Sequence, residues 1–153
     1  MSMTILRGRI LSFVREPQGL DDKASYRYIE DGAIGIVDGK IVSVGNFDAA
    51  MVGGAAVIDH RPHLILPGFI DTHLHYVQSQ MIASYAGSLL EWLNTYTFVD
   101  EQKFSQQGHA EAVASAFYDE LIRHGTTTAV AYCSSAPASV DAYFAEAEKR
   151  NML

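Results

Sequence analysis

Two histidines one residue apart offer the clearest chemistry in this sequence. His73 and His75 end the run Leu66–His75 (LPGFIDTHLH), whose apolar residues predict a short β-strand. Side chains alternate between the two faces of a strand, so both imidazoles point the same way and Leu74 points away. Two imidazoles on one strand face make half of a metal site. The competing interpretation is a pair of structural or surface histidines.

The residues that lead into this strand indicate whether its two faces are buried. Pro67-Gly68 marks the entry, and Phe69-Ile70 places apolar side chains on consecutive positions. Consecutive apolar residues are typical of a strand covered on both faces, as in a parallel sheet. We therefore expect a buried parallel strand with the histidines at its carboxyl end.

The second half of the chain repeats a strand–helix pattern. Residues 109–124 predict an amphipathic helix, residues 126–132 a second buried strand, and Pro137 the first turn of another helix. The inner faces are predicted to be Ala110, Val113, Ala114, Phe117 and Leu121 in the first helix, and Val140, Phe144 and Ala147 in the second. Repeated strand–helix units indicate a parallel α/β sheet or barrel.

Two such units are too few for a closed barrel, which needs eight. We therefore expect the chain to be the N-terminal piece of a longer protein; a complete small α/β domain is the alternative.

The first 66 residues predict a β-rich packing unit without chemistry of its own. Residues 4–15 and 33–45 are rich in Ile and Val, and Asp38-Gly39 is a strong signal for a type I′ hairpin turn. Residues 16–31 are predicted to form an exposed loop. Two short strands are expected on either side of Pro62, at residues 57–59 and 64–66.

Composition narrows the class of protein. The chain has 153 residues, 48% of them hydrophobic and 19% charged, with a net charge of -7. This balance disfavours a nucleic-acid partner, and the absence of a long apolar run argues against a membrane span. The single cysteine, Cys133, allows no internal disulfide and fits a reducing compartment. We expect a cytoplasmic protein with a small-molecule partner.

The segment from Leu66 to Phe104 resembles the zinc-dependent amidohydrolase superfamily, in which a His-x-His ends the first barrel strand after a Pro-Gly-Phe-Ile-Asp-Thr lead-in. Within that superfamily the chain is similar to the guanine deaminase family. The residues that carry this similarity are Gln78, Leu89-Leu90-Glu91-Trp92-Leu93, Tyr96-Thr97-Phe98, Lys103-Phe104 and Gly125-Thr126-Thr127-Thr128. The resemblance implies an α/β fold: residues 67–153 as the N-terminal part of a (β/α)8 TIM-like barrel, preceded in residues 1–66 by strands of a flanking β-sandwich.

The resemblance also implies a metal site and its chemistry. His73 and His75 would be ligands of one zinc ion, although imidazole also suits iron. His75 and Gln78 would contact a purine substrate. The family's other ligands, two His and one Asp, and its proton-shuttling Glu have no counterpart here, so no catalytic residue is assigned within this segment. We expect the isolated chain to be inactive and the complete protein to be a homodimer.

The activity implied is a step of purine catabolism, the hydrolysis of a cyclic amidine that converts guanine to xanthine and ammonia. One alternative is another amidohydrolase, a deaminase or chlorohydrolase, acting on a different amino-heterocycle. The alternative from another class is a non-catalytic metal-binding or assembly module.

Three further side chains admit a structural interpretation. Trp92 could wall a purine pocket, but a core position is favoured. Asp71 is expected to hold loop amides, and Cys133 to be a buried structural thiol. The remaining histidines, which have no partner at ligand spacing, are His60, His63, His109 and His124.

Overall fold

The computed structural model describes residues 2–153, apart from the side chain of Met51. Met1, the first residue of the predicted first domain, lies outside the described residues. The chain divides into two compact units, the first ending at Pro67 and the second spanning Gly68–Leu153. No helix within residues 2–153 is long and apolar enough to cross a membrane.

The first unit is a four-stranded mixed sheet with strand order β3-β2-β1-β4. Its strands are β1 (Thr4–Phe13), β2 (Tyr26–Val37), β3 (Lys40–Asn46) and β4 (Ala56–Ile65). Strand β2 pairs antiparallel with β1 and β3, whereas β4 runs parallel to β1. Buried isoleucines form its small core: Ile10, Ile29 and Ile34.

The predicted hairpin turn between β2 and β3 is confirmed. Asp38 and Gly39 both have positive φ angles, 51° and 74°, which is the backbone conformation that a type I′ turn requires. A short 3₁₀ turn over Ala49–Met51 follows β3, and the Asp48 side chain caps it by accepting a hydrogen bond from the backbone amide of Ala50.

Two details predicted for the first unit are wrong. The exposed loop predicted for residues 16–31 is shorter, because β2 begins at Tyr26, opposite Phe13 of β1. Polar and aromatic residues alternate there, and the pairing with β1 outweighs the polar composition. The two short strands around Pro62 form the single strand β4, whose pairing with β1 shifts register between Asp59 and Leu64. Such an irregularity accommodates a proline, which cannot donate to the ladder.

The second unit has the predicted mixed α/β character. Parallel strands β5 and β6 are connected through a helical region and followed by a final helix. Its elements are β5 (Phe69–His75), a 3₁₀ segment (Tyr76–Met81), α1 (Leu89–Trp92), a π-helical turn (Leu93–Thr97), α2 (Phe98–Glu101), a 3₁₀ segment (Gln102–Ser105), α3 (Gln107–Arg123), β6 (Thr126–Tyr132) and α4 (Pro137–Lys149). Helix α3 ends at Arg123, and Gly125, two residues later, has a φ of 81°, which is typical of a helix-terminating glycine.

An aromatic cluster forms the core of the second unit. Tyr76, Phe104, Tyr118 and Tyr143 are almost completely buried, and the Tyr76 and Phe104 rings meet edge to face at 5.3 Å between centroids. Edge-to-face packing suits the charge distribution of aromatic rings. The cluster therefore connects the end of β5 to α3 and α4.

The inner face predicted for α4 is wrong by one residue. Val140 and Phe144 are exposed, and Ala142 and Tyr143 are buried beside the correctly predicted Ala147. The Tyr143 hydroxyl donates to the Ala129 carbonyl oxygen of β6 at 3.1 Å. This contact and the aromatic packing favour the side of α4 that carries Tyr143.

The expected burial of β5 and β6 is also wrong for the described residues. Phe69 is 56% exposed and Ile70 68% exposed, and Ala129 is the only buried residue of β6. Within residues 2–153 the two strands pair only with each other. Helices α3 and α4 pack against only part of this small sheet, and the rest of its surface is exposed.

Gly68 gives a test of how β5 is held. A Cβ atom at this position would clash with the Thr127 side chain and lie 2.7 Å from the Thr127 Cβ. We predict that Gly68→Ala lowers the free energy of unfolding by about 1–3 kcal/mol, the usual cost of overpacking. Urea denaturation measures the loss. Gly108→Ala is the matched control, because a Cβ there meets nothing within 4 Å; equal stability of the two variants would contradict the close packing.

Candidate metal and substrate site

The two histidines lie together at the carboxyl end of β5. Their ring centroids are 5.6 Å apart and the ring planes are inclined by 44°. Two imidazoles bound to one zinc at the usual Zn–N distance place their centroids about 5 Å apart. His73 is exposed and His75 is half-buried. The spacing of the pair therefore fits the sharing of one metal ion.

Tyr132 is a site residue that the sequence interpretation missed. It ends β6 and pairs in register with His75. Its ring stacks on His75 at 4.6 Å between centroids, with only 14° between the planes, and lies 5.2 Å from His73. The stacking limits rotation of the His75 ring. Matching the carboxyl ends of the two predicted parallel strands could have placed Tyr132 beside the histidines.

Asp71 holds a backbone amide, as expected, but this amide lies within strand β5 and not in a loop. Its Oδ1 accepts a hydrogen bond from the backbone amide of His73 at 3.0 Å. An aspartate that accepts from the amide two residues later fixes the local backbone. The contact orients the backbone that carries the first histidine.

Gln78 lies three residues beyond His75 on the 3₁₀ segment. The neighbouring Tyr76 and Val77 are fully buried, and they fix the backbone from which Gln78 projects. Its Nε2 donates a hydrogen bond to Oε1 of Glu101, the last residue of α2, at 3.2 Å. Both side chains are half-buried. The sequence interpretation did not identify Glu101.

Two open cavities border these residues. One, of about 890 Å³, is lined by His75, Gln78 and Trp92, but most of its wall is apolar and comes from Leu74 and one face of α3. Leu74 and His75 are neighbours on β5, and both line this groove. The other, of about 580 Å³, has a mixed polar and apolar lining that includes Glu101 and residues 134–136, just beyond the carboxyl end of β6.

Tyr76 anchors the site to α4. Its hydroxyl donates to the Ser139 carbonyl oxygen at 2.5 Å and lies 2.9 Å from Ser139 Oγ. Burial raises the pKa of Tyr76 to about 12. Burial also raises the pKa of the nearby Cys133 thiol, which keeps it protonated and fits the expected structural role.

The remaining candidates have ordinary surroundings. Trp92 is half-buried and its Nε1 donates to the Ser84 carbonyl oxygen at 3.1 Å, so it is not the core residue that was favoured. The other histidines lie on β4 (His60, His63), on α3 against Phe104 (His109) and just after α3 (His124). Among the described residues, no three His, Cys, Asp or Glu side chains are grouped as a metal site.

Comparison with known proteins decides the family. The sequence model described as the Amidohydrolase family matches residues 64–152, a span that contains His73, His75 and Gln78. The chain belongs to the amidohydrolase family. The match covers the whole second unit except Leu153, and therefore all the residues of the candidate site.

Guanine deaminases are among the relatives of this amidohydrolase chain. The guanine deaminase of Escherichia coli (strain K12) is 37% identical over 99% of this chain and 35% of its own length. The crystal structure of guanine deaminase from Bradyrhizobium japonicum gives a TM-score of 0.91 at 32% identity, over 99% of this chain and 34% of that one. Guanine deaminase from C. acetobutylicum, with guanine bound in its active site, gives 0.79 at 28% identity, over 99% and 35%. The chain thus spans about a third of the length of these relatives.

The buried phenol predicts a pH dependence of stability. Because the pKa of Tyr76 is raised from its ordinary value near 10 to about 12, the folded state disfavours the phenolate. Stability from Tyr76 is fully present below pH 10 and is lost as the pH rises through 12. We predict that Tyr76→Phe destabilises the protein at pH 7 by about 1–2 kcal/mol through its lost hydrogen bond. This difference should shrink between pH 10 and 12 in urea titrations; parallel profiles would contradict it.

Proposed function

We propose that the chain supplies the first metal ligands and a substrate-binding residue of a metal-dependent hydrolase that deaminates guanine to xanthine and ammonia. The observation that carries the proposal is the pair of imidazoles at the carboxyl end of β5, 5.6 Å apart, in a chain of the amidohydrolase family. The similarity to guanine deaminases over almost the whole chain favours guanine as the heterocycle.

His73 and His75 would hold one zinc ion, with iron as the other metal that imidazole suits. When bound, zinc acidifies water and polarises a carbon–nitrogen bond, which is the chemistry of hydrolytic deamination. Each histidine has a local support. Asp71 fixes the backbone amide of His73, and Tyr132 stacks on the ring of His75. These contacts restrain the backbone of His73 and the ring of His75.

Gln78 would bind the edge of the purine, and His75 would also contact it. An amide suits this task because it offers both a donor and an acceptor to a heterocycle. Gln78 follows the ligand strand directly, and its buried neighbours Tyr76 and Val77 hold its backbone in place. Metal and substrate would therefore be held by one continuous segment, residues 73–78.

In the complete protein, we propose that residues 67–153 begin a (β/α)8 TIM-like barrel and that residues 1–66 contribute strands to a flanking β-sandwich. The remaining ligands and the proton-shuttling group would lie outside this chain, so the chain alone is proposed to be inactive. A cytoplasmic homodimer that acts in purine catabolism completes the proposal.

Removing either histidine tests the metal site. We predict that His73→Ala or His75→Ala, in a protein of the relatives' length, abolishes stoichiometric zinc and lowers guanine turnover by roughly 100-fold or more. Elemental analysis and xanthine formation are the measurements. His124→Ala is the control, since this side chain is exposed at the end of α3. Full zinc content and full turnover in a His73 or His75 variant would refute the assignment.

Replacing Gln78 tests the substrate contact. We predict that Gln78→Ala lowers kcat/KM for guanine by about 10–100-fold, the effect of losing one or two hydrogen bonds, and leaves the zinc content unchanged. Gln80→Ala is the matched control, because Gln80 is exposed on the same 3₁₀ segment. If zinc and rate fall together in Gln78→Ala, Gln78 is structural. Turnover of guanine, adenine, cytosine and s-triazines by the wild type identifies the heterocycle.

A further inference from the structure

We propose that Glu101 is a positioning residue that fixes the orientation of the Gln78 amide, so that Gln78 presents its carbonyl oxygen to the heterocycle. The inference rests on the proposed function, in which Gln78 contacts the substrate. It adds a residue and a basis for substrate selection that the histidine pair does not supply.

The contact joins two parts of the second unit. Gln78 Nε2 donates to Glu101 Oε1 at 3.2 Å, across 23 residues of sequence. Both side chains are half-buried, which partly shields the bond from competing water. A hydrogen bond to a carboxylate is stronger than one between neutral groups. Among the described residues, Gln78 is the only side-chain partner recorded for the Glu101 carboxylate.

The carboxylate determines which way the amide faces. A carboxylate only accepts hydrogen bonds, and so does the carbonyl oxygen of glutamine. Turning the Gln78 amide by half a turn would place Oε1 against Glu101, where two acceptors repel each other without a proton between them. Nε2 therefore stays on Glu101, and Oε1 lies on the opposite side of the planar amide group.

Glu101 reaches Gln78 because of an irregular turn in its own helical region. The π-helical turn Leu93–Thr97 lies between α1 and α2. Each α-helical residue advances the chain by about 100° around the axis, and a π turn holds one residue more than an α turn. With regular α-helix in its place, Glu101 would lie about 100° away around the axis. The π turn thus directs this carboxylate toward Gln78.

A fixed acceptor at Gln78 selects among heterocycles. Guanine carries a proton on ring nitrogen N1, whereas N1 of adenine is a bare acceptor. An acceptor held in place can bind a ring N–H or an amino group and repels a bare ring nitrogen; mismatched polar groups in a binding site are rejected strongly. An amide that turns freely would adapt to either edge.

Glu101→Gln is the test, made in a protein of the relatives' length. The new amide can donate or accept, so it releases Gln78 to turn. We expect the ratio of kcat/KM for guanine to that for adenine to fall about tenfold, mainly through a lower KM for adenine, since the polar mismatch with its bare N1 is relieved. Zinc content and Tm should stay at wild-type values, which distinguishes a positioning role from a general structural one.

Asp100→Asn is the matched control. It removes the same charge one residue earlier on α2, where the carboxylate pairs with Lys103 instead of Gln78. We expect wild-type selectivity from it. The double variant Gln78→Glu with Glu101→Gln restores the hydrogen bond with donor and acceptor exchanged, and it leaves an oxygen facing the substrate. It should recover guanine preference relative to Gln78→Glu alone, in which two carboxylates face each other.

A spectroscopic measurement separates this inference from the proposed function. In the wild type, one side-chain N–H proton of Gln78 should resonate downfield and exchange slowly with solvent, and Glu101→Gln should remove both properties. If the wild type does not deaminate guanine, the proposed function fails, yet the Gln78 spectrum still decides whether Glu101 holds the amide. An unchanged spectrum in Glu101→Gln, unchanged selectivity, or equal losses in Asp100→Asn would overturn the inference.

Discussion

The hydrogen bond from the Tyr76 hydroxyl to the Ser139 carbonyl oxygen is the contact on which the second unit depends. Tyr76 follows His75 directly, and its ring belongs to the buried aromatic cluster. The bond connects the carboxyl end of β5 to the first turn of α4. Because Tyr76 is fully buried, a shift of the strand end would expose its ring or leave polar atoms without partners. The position of the histidines is therefore set by the core.

Parallel pairing provides the second constraint on the site. The register of β5 and β6 opposes His75 to Tyr132, so the aromatic ring that stacks on a proposed ligand comes from the neighbouring strand. The carboxyl ends of parallel strands meet at one edge of a sheet, which is where α/β proteins place their binding sites. In this chain that edge collects the histidines, Tyr132 and the segment that carries Gln78.

The local parts of this arrangement could be predicted from the sequence, and the long-range parts could not. Strand alternation predicted that His73 and His75 share a face, and the Asp38-Gly39 pair predicted the hairpin turn between β2 and β3. Both features could be predicted because each depends only on residues that are adjacent in the sequence. Tyr132 and Glu101 were missed because their roles arise from register and from a π-helical turn, neither of which leaves a periodic pattern. The face of α4 was misplaced by one residue because the hydrogen bond of Tyr143 to β6 outweighs the apolar stripe.

The residues of the candidate site lie on two kinds of secondary structure, a β-strand and a short 3₁₀ segment. The histidines lie on a strand whose direction is fixed by ladder hydrogen bonds, which suits ligands that must converge on one ion. Gln78 lies on a short 3₁₀ segment with poorer intrinsic geometry, and its side chain is oriented from outside, by the end of α2. If Gln78 has the proposed role, substitutions that alter α2 would change which heterocycle is bound while the histidine pair keeps its geometry. The proposed metal ligands and the proposed substrate contact are separable because different contacts hold them.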